Sequence, residues 1–335
     1  PSTPRRRRTW MIFPAALALA AAGFAGGVIG SNFQQEPAPV IIEQAQPIRV
    51  VEARPALASA TDTTDTAAVG AAVIPSIVTV EVGSESNGAF VPAGSGSGVI
   101  LDTTGNIATN DHVVDGGTAI RVILSDGRIY EADLIGTDPL TDLAVLNISA
   151  TDLSPIVLGS TEDLTIGTSA IAVGSPLGLE GGPSLSVGVV SALGREEQTG
   201  PETILYGMIQ TDAPITSGSS GGSLVDADGA LIGITTAVGV SNIGVEGIGF
   251  ATPVEIVERV TAEIIATGAV SHALLGIAGD TAYDTTADGG SAPVGVDVRE
   301  VTPGSAADAA GIVVGDVITA VDGIDVLTMD ELITA

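Results

Sequence analysis

The sequence predicts a mainly β protein, an all-β barrel or sandwich from Ala71 to Pro253 followed by a smaller mixed module, and three observations carry that expectation. Short Val/Ile-rich runs recur at close intervals, among them SIVTVEV, GSGVILD, NIATNDHVV, DLAVLNI and SAIAVG. Gly, Asp-Gly and Pro separate them, which is the punctuation of strands. Beyond the N-terminal tether, helical spacing first occurs at 254–267, where Val257, Val260, Ile264 and Ile265 fall on one face. A chain of 335 residues with 45% apolar content is long enough for about two domains with real cores.

The elements follow in order. Residues 1–9 form a basic N-terminus containing Arg5 to Arg8, and residues 10–31 are an uncharged apolar stretch long enough to cross a bilayer as a helix. Basic residues before it and acids after it predict a cytoplasmic N-terminus, with the remainder on the extracytoplasmic face. The expectation is a retained single-pass membrane anchor. The competing reading is a cleaved signal peptide, with Ala18, Ala20 and Ala22 as small residues near a cut. Residues 32–70, rich in Pro, Ala, Gln and Thr, read as a flexible linker. The β domain then runs over 71–267, closed by the 254–267 helix, with hairpin turns at Ser125-Asp126-Gly127 and Asp226 to Gly229. A last module occupies 268–335.

Composition removes several function classes. The formal net charge is −29, from 40 acids against 11 arginines and no lysine, so nucleic-acid binding is not expected. With no Cys and only His112 and His272, a thiol nucleophile, a disulfide framework and a multi-histidine metal centre are excluded, and no cofactor or metal is expected. Asn147-Ile148-Ser149 matches a glycosylation acceptor by chance, and Asp226-Ala227-Asp228-Gly229 lacks the later ligands of a calcium loop.

Chemistry concentrates in ITSGSSGGSLVDADGALIGI. Ser220 stands there within Gly218-Ser219-Ser220-Gly221-Gly222, where glycines let the backbone turn sharply and its N–H groups converge on a developing oxyanion. A serine nucleophile also needs a base and a group to orient it. His112 in ATNDHVV and Asp142 in DPLTDLAVL supply one of each, in the order His, Asp, Ser. Ser220 also satisfies the G-x-S-x-G of an α/β-hydrolase elbow, but that elbow requires a helix after the serine, and SLVDADGALIGI reads as strand, turn, strand. Asp138 and His272 take structural readings, the first as a turn former before Pro139.

These stretches, with LGSTEDLTIGTSAIAVGSPLGL, SVGVVSALGR and GIGFATP, resemble the bacterial Deg/HtrA family of serine proteases collinearly from about Ala71 onward. The resemblance implies a chymotrypsin-like double β-barrel, with His112 as general base, Asp142 as its orienter, Ser220 as nucleophile, and an oxyanion hole from Gly218, Ser219 and Ser220. It implies an ATP-independent endopeptidase of the cell envelope acting on unfolded or misfolded proteins, a homotrimer, and regulatory loops near 194–205 and 237–247. The chain departs from the family pattern at Ser219, where Asn is usual, at Ser217 and Ser223, where Pro is usual, and at Asp111 before the histidine. By the same resemblance Ile215, Ile234 and Thr235 would line a shallow apolar pocket. No acid occurs at 213–216 or 233–237, so cleavage after small aliphatic residues is expected rather than after Arg or Lys.

The segment GVDVREVTPGSAADAAGIVVGDVITAVDG resembles a PDZ domain, C-terminally incomplete at Ala335. There Leu275, Gly276 and Ile277 would bind the terminal carboxylate of a C-terminal peptide. The alternative from another class is a weakly active or non-catalytic scaffold that holds unfolded chains, its altered loop leaving the oxyanion site collapsed.

Overall fold

The computed structural model describes residues 65–334, apart from 176–181, 200–202, 217, 239–246 and 287–288. The segment expected at 10–31 as a membrane helix lies outside the described residues, among which no helix is long and apolar enough to cross a membrane.

Seven strands make the first sheet: β1 (Ile77–Ser86), β2 (Ala89–Ile100), β3 (Asn106–Thr109), β4 (Ala119–Leu124), β5 (Ile129–Glu131), β6 (Asp133–Asp138) and β7 (Leu143–Asn147), in the order β5-β4-β1-β2-β3-β7-β6. Six make the second: β8 (Ser169–Gly174), β9 (Ser184–Gln198), β10 (Ile204–Thr211), β11 (Ser223–Val225), β12 (Leu231–Val238) and β13 (Gly249–Pro253), closed as β10-β13-β12-β11-β8-β9. The expectation of two barrels is thereby corrected. The second closes through its ladders, whereas the first leaves β5 and β6 as edges joined only by the chain at Ala132, whose N–H donates to Ile120.

Strand alternation explains why the apolar runs are continuous. In β7, Ala144 and Leu146 face the interior of the first sheet with Val80, Ile107 and Val122, while Leu143 and Val145 face a core shared by both sheets. In β8, Ala170 and Ala172 fill the second barrel, and Ile171 and Val173 join the shared core. Strands buried on both faces thus meet where the loops carrying His112, Asp142 and Ser220 come together.

Two helices seal that core. α1 (Thr66–Val73) is capped by Asp65, which accepts from the Ala68 N–H at 3.1 Å, and it buries Val69 and Val73. The linker expected through residue 70 therefore gives way to helix at Thr66. After the single turn α2 (Asp111–Val114), α3 (Val254–Thr267) buries Val257, Val260 and Ile264 and ends at Gly268, whose φ of 82° is the left-handed cap glycine favours. Ile265 is 41% exposed, because one residue past Ile264 turns it about 100° off the buried stripe.

Glu255, in the first turn of α3, accepts from the Thr161 N–H at 2.6 Å, the Thr161 hydroxyl at 2.7 Å and the Ser160 hydroxyl at 3.1 Å. Partial burial opposes its charge, but these bonds outweigh it and hold the carboxyl below the usual glutamate range. Glu255→Ala is expected to lower stability by about 1 kcal/mol, read by urea unfolding at neutral pH. A depressed carboxylate stabilises the fold above its unfolded pKa and loses that contribution as pH falls through its folded pKa, so the deficit should shrink on acidification.

The C-terminal module has a three-stranded sheet of β14 (Ile277–Thr285), β15 (Ser291–Val301) and β16 (Val317–Ile318), and a ribbon of β17 (Ala320–Val321) and β18 (Ile324–Asp325). α4 (Ala306–Ala310) starts at Ser305, whose hydroxyl accepts from the Asp308 N–H, and α5 (Met329–Thr334) follows the ribbon.

Candidate active site

His112 and Asp142 come together as the sequence suggests. Asn110 precedes the single turn of α2, and its side-chain amide donates to the Asp142 carbonyl at 2.7 Å and to the Thr236 hydroxyl at 3.1 Å. Asp142 ends a tight loop in which Asp138 accepts from the Thr141 hydroxyl at 2.6 Å, and its φ of 53° is left-handed, a region aspartate tolerates. So placed, Asp142 receives two bonds from one residue: the His112 backbone N–H to Oδ1 at 3.0 Å, and the ring Nδ1 with Oδ2 at 2.7 Å. The Asp142 side chain is 9% exposed and that of His112 51%, so the buried acid holds a ring that opens to solvent.

Ser220 shares a cleft of about 320 Å³ with His112 and Gly218, walled by Ala93, Gly94 and Ser95 of β2. Its hydroxyl donates to the Thr236 carbonyl at 3.1 Å. Around it the Ser219 N–H reaches back to the Thr216 carbonyl, Gly218 sits at φ 89°, and a turn runs from Ser219 to Gly222 with Gly221 at φ 84°. A Cβ on Gly221 would lie 2.1 Å from the Ser97 carbonyl oxygen, so only glycine fits.

The three residues expected at the oxyanion hole fare differently. The Ser219 N–H is donated to the Thr216 carbonyl at 2.9 Å, which removes it from the set. The Ser219 carbonyl accepts from the Thr235 hydroxyl at 2.7 Å and from the Gly222 N–H at 2.9 Å. Because N–H and C=O of a trans peptide point in opposite directions, the Ser220 N–H faces away from those donors. Gly218 lines the cleft, but its N–H belongs to a peptide shared with residue 217, outside the described residues.

The expected pocket residues are largely interior. Ile234 is fully buried in the core between the sheets, and Ile215, 9% exposed, packs on the Gly249 backbone, whereas Thr235 gives its hydroxyl to Ser219 and lines a cavity of about 180 Å³ with Pro214, Thr216 and Ser219. A strand buried on both faces carries apolar side chains on both, so composition alone did not say which face Ile234 takes.

Comparison with known proteins now separates a shared architecture from a shared lineage. Residues 96–234 match the model of the trypsin-like peptidase domain, and residues 298–335 match a PDZ domain model. The solved structure of the HtrA-type protease AlgW with a tripeptide is 34% identical with a TM-score of 0.67, over 80% of this chain and 86% of that one. The chain belongs to the HtrA-type protease family. Among curated relatives, serine protease PepD of Mycobacterium tuberculosis is 37% identical over 290 residues, 80% of this chain and 59% of the relative. Periplasmic serine endoprotease DegP of Escherichia coli K12 is 42% identical over 233 residues, 68% of this chain and 48% of the relative. The chain spans about half to three fifths of the length of these curated relatives.

Several residues of this HtrA-type site carry no signal in the sequence reading. Ser97, Asn110 and Thr236 bond to the loops that hold His112, Asp142 or Ser220, as does Thr235, which was expected only as a pocket residue. His272 is also less isolated than expected: its Nε2 lies 2.8 Å from Oδ1 of buried Asp138, tying the approach to the PDZ module to the Asp142 loop. In that module the Leu275 carbonyl accepts from the Ala307 N–H and the Gly276 carbonyl from the Thr302 N–H. Peptide planarity then turns the Gly276 and Ile277 N–H groups away from those donors.

Partial burial works against a charge on His112, but the hydrogen bond and charge of Asp142, with the charge of Asp111, outweigh it and raise the ring above the ordinary imidazole value. A base must be neutral, so hydrolysis should rise with pH only through that elevated value. Asp111→Asn removes one anion and is expected to move the acid limb of the kcat/KM profile to lower pH while leaving the alkaline plateau unchanged. An unmoved limb would show that Asp111 does not act on the ring.

Proposed function

We propose that the chain is an ATP-independent serine endopeptidase of the cell envelope that hydrolyses unfolded or damaged proteins through His112, Asp142 and Ser220. The observation that supports it most is the His112–Asp142 pair opening on the cleft that also holds Ser220, on a trypsin-like scaffold. In this reading Ser220 turns its hydroxyl from the Thr236 carbonyl toward His112 Nε2 and attacks a substrate carbonyl as the ring takes its proton. Backbone N–H groups of Gly218 and Ser220 bind the oxyanion, and the protonated ring then delivers its proton to the leaving amine. Water hydrolyses the acyl-enzyme by the same route. With no acid at 213–216 or 233–237 to pair with a basic side chain, cuts fall after small aliphatic residues.

The extracytoplasmic location rests on the apolar 10–31 stretch, with its basic flank, and on relatives named as periplasmic. Trimeric assembly and peptide capture by Leu275, Gly276 and Ile277 rest on family resemblance, and AlgW is a relative solved with peptides. One observation favours the scaffold reading: the Ser220 hydroxyl rests on Thr236 rather than on His112. Hydrolysis of unfolded casein by the full chain beside Ser220→Ala, with product ends read by mass spectrometry, separates the two. Serine-dependent cuts after Ala, Val, Ile or Leu support the peptidase, whereas wild type that binds casein without cutting it, even with a C-terminal activating peptide, supports the scaffold.

A further inference from the structure

The loop around Ser220 is a run of three peptide planes, and each can be followed edge by edge. In the 218–219 plane, the Gly218 carbonyl accepts from the Ser97 hydroxyl at 2.7 Å and the Ser219 N–H donates to Thr216 at 2.9 Å. In the 220–221 plane, the Ser220 carbonyl accepts from the Ser97 N–H at 2.7 Å and the Gly221 N–H donates to the Thr235 carbonyl at 2.8 Å. Between them, the 219–220 plane is bonded at its carbonyl by Thr235 and Gly222. The Ser220 N–H is the remaining edge of these three planes, and planarity points it opposite the carbonyl that Thr235 and Gly222 hold.

One residue, Ser97, holds two of the three planes. It belongs to β2 of the first sheet, 121 positions before Gly218 in sequence, and it is fully buried. The sense of its bonds is forced. The Ser175 N–H donates to the Ser97 Oγ at 2.8 Å, so that oxygen is the acceptor there and its own proton is left for the Gly218 carbonyl, which can only accept. The Ser97 carbonyl in turn accepts from the Thr109 hydroxyl at 2.7 Å, fixing the clamp to β3 just ahead of His112. The close passage of the chains at this point excludes side chains at Gly221, as above, and at Gly96, where a Cβ would lie 2.6 Å from the Val113 side chain.

We propose that Ser97 is a positioning residue for the oxyanion site: its hydroxyl holds the Gly218 carbonyl away from the cleft, so that the loop presents donors rather than an acceptor to the tetrahedral intermediate. Without that hydroxyl a buried carbonyl has no partner, and rotation of the 218–219 plane toward water in the cleft is the available remedy. The rotation would bring a carbonyl oxygen to where negative charge develops. Ser97 touches neither substrate nor the reacting atoms, and its effect is confined to the tetrahedral species. The inference rests on the peptidase reading above.

The test is Ser97→Ala in the full chain, with a fluorogenic peptide as substrate and a peptide aldehyde, whose adduct places an oxyanion in the site, as probe. Wild type is measured first: an inactive wild type sinks the peptidase reading and this inference with it. Against an active wild type, Ser97→Ala should lower kcat about 10- to 100-fold, somewhat less than deleting an oxyanion donor outright. KM should stay within about twofold, and aldehyde affinity should fall in parallel with kcat. The acid limb set by His112 should not move. If kcat per folded molecule and aldehyde affinity are unchanged while only the melting temperature falls, Ser97 is merely structural and the inference fails. Should Ser97→Ala not fold, Ser97→Thr and Ser97→Val carry the test, since the two impose the same bulk and differ by a hydroxyl. Threonine retaining activity that valine loses supports the clamp; equal activity in both overturns it.

Discussion

Ser220→Ala is expected to lower kcat on an unfolded protein by about 10⁶-fold while leaving KM and the melting temperature close to those of the wild type. The size of the loss follows from what remains. Alanine keeps the backbone at 220, whose carbonyl accepts from the Ser97 N–H, so the loop is held as before and binding and oxyanion stabilisation are expected to persist. What disappears is the covalent route, and water held at the same place must act as nucleophile. Among the described residues the Ser220 hydroxyl makes a single hydrogen bond, to the Thr236 carbonyl, so its deletion perturbs the fold little. Purified variant measured against wild type with the same casein preparation checks this. A variant retaining more than about a hundredth of the activity would mean that another group is the nucleophile.

The parts of this site that were legible in the sequence are those whose chemistry is written locally. Ser220 could be found because its loop requires glycine at 218 and 221, where φ is positive, and at 222, where a Cβ would lie 2.6 Å from the Val173 carbonyl oxygen, and His112 and Asp142 because a nucleophile needs both partners and each occurs in a short distinctive stretch. α3 was legible for a similar reason, since 3.6-residue spacing is a property of consecutive residues. Ser97 was not, because GSGSG at 94–98 has the composition of a linker, and its meaning comes from a partner 121 residues away. α1 escaped because TAAVGAAV offers only Val69 and Val73 to the core and otherwise matches the small-residue linker before it. Closure of the first sheet was over-read for a different reason. Strand spacing predicts how many ladders exist, but whether the last joins the first depends on the bend at Ala132, which no periodicity encodes. The same limit applies to Ile234: its strand was identified correctly, yet its direction depends on which sheet lies behind it.

Asp142→Asn is expected to lower kcat about 10⁴-fold with KM nearly unchanged, and here the geometry dictates the reason. Asp142 Oδ1 accepts the His112 backbone N–H at 3.0 Å, and that N–H can only donate. An asparagine in the same position must therefore turn its carbonyl oxygen to the backbone and its amide nitrogen to the ring. The atom then facing Nδ1, 2.7 Å away in the wild type, is a donor. It favours the tautomer with the proton on Nε2, the nitrogen that must be free to receive the proton of Ser220. Flipping the amide to rescue the ring would face its NH₂ against the backbone N–H in a side chain only 9% exposed, where a lost hydrogen bond is not made good by water. The variant should consequently fold, since the shape and the Asn110 bond to the residue-142 carbonyl survive, and should bind substrate, since nothing in the cleft wall changes. The melting temperature and KM test those two statements separately from kcat. A loss smaller than tenfold would mean that His112 keeps its working tautomer without Asp142, and the acid would then be a structural anchor of the histidine turn.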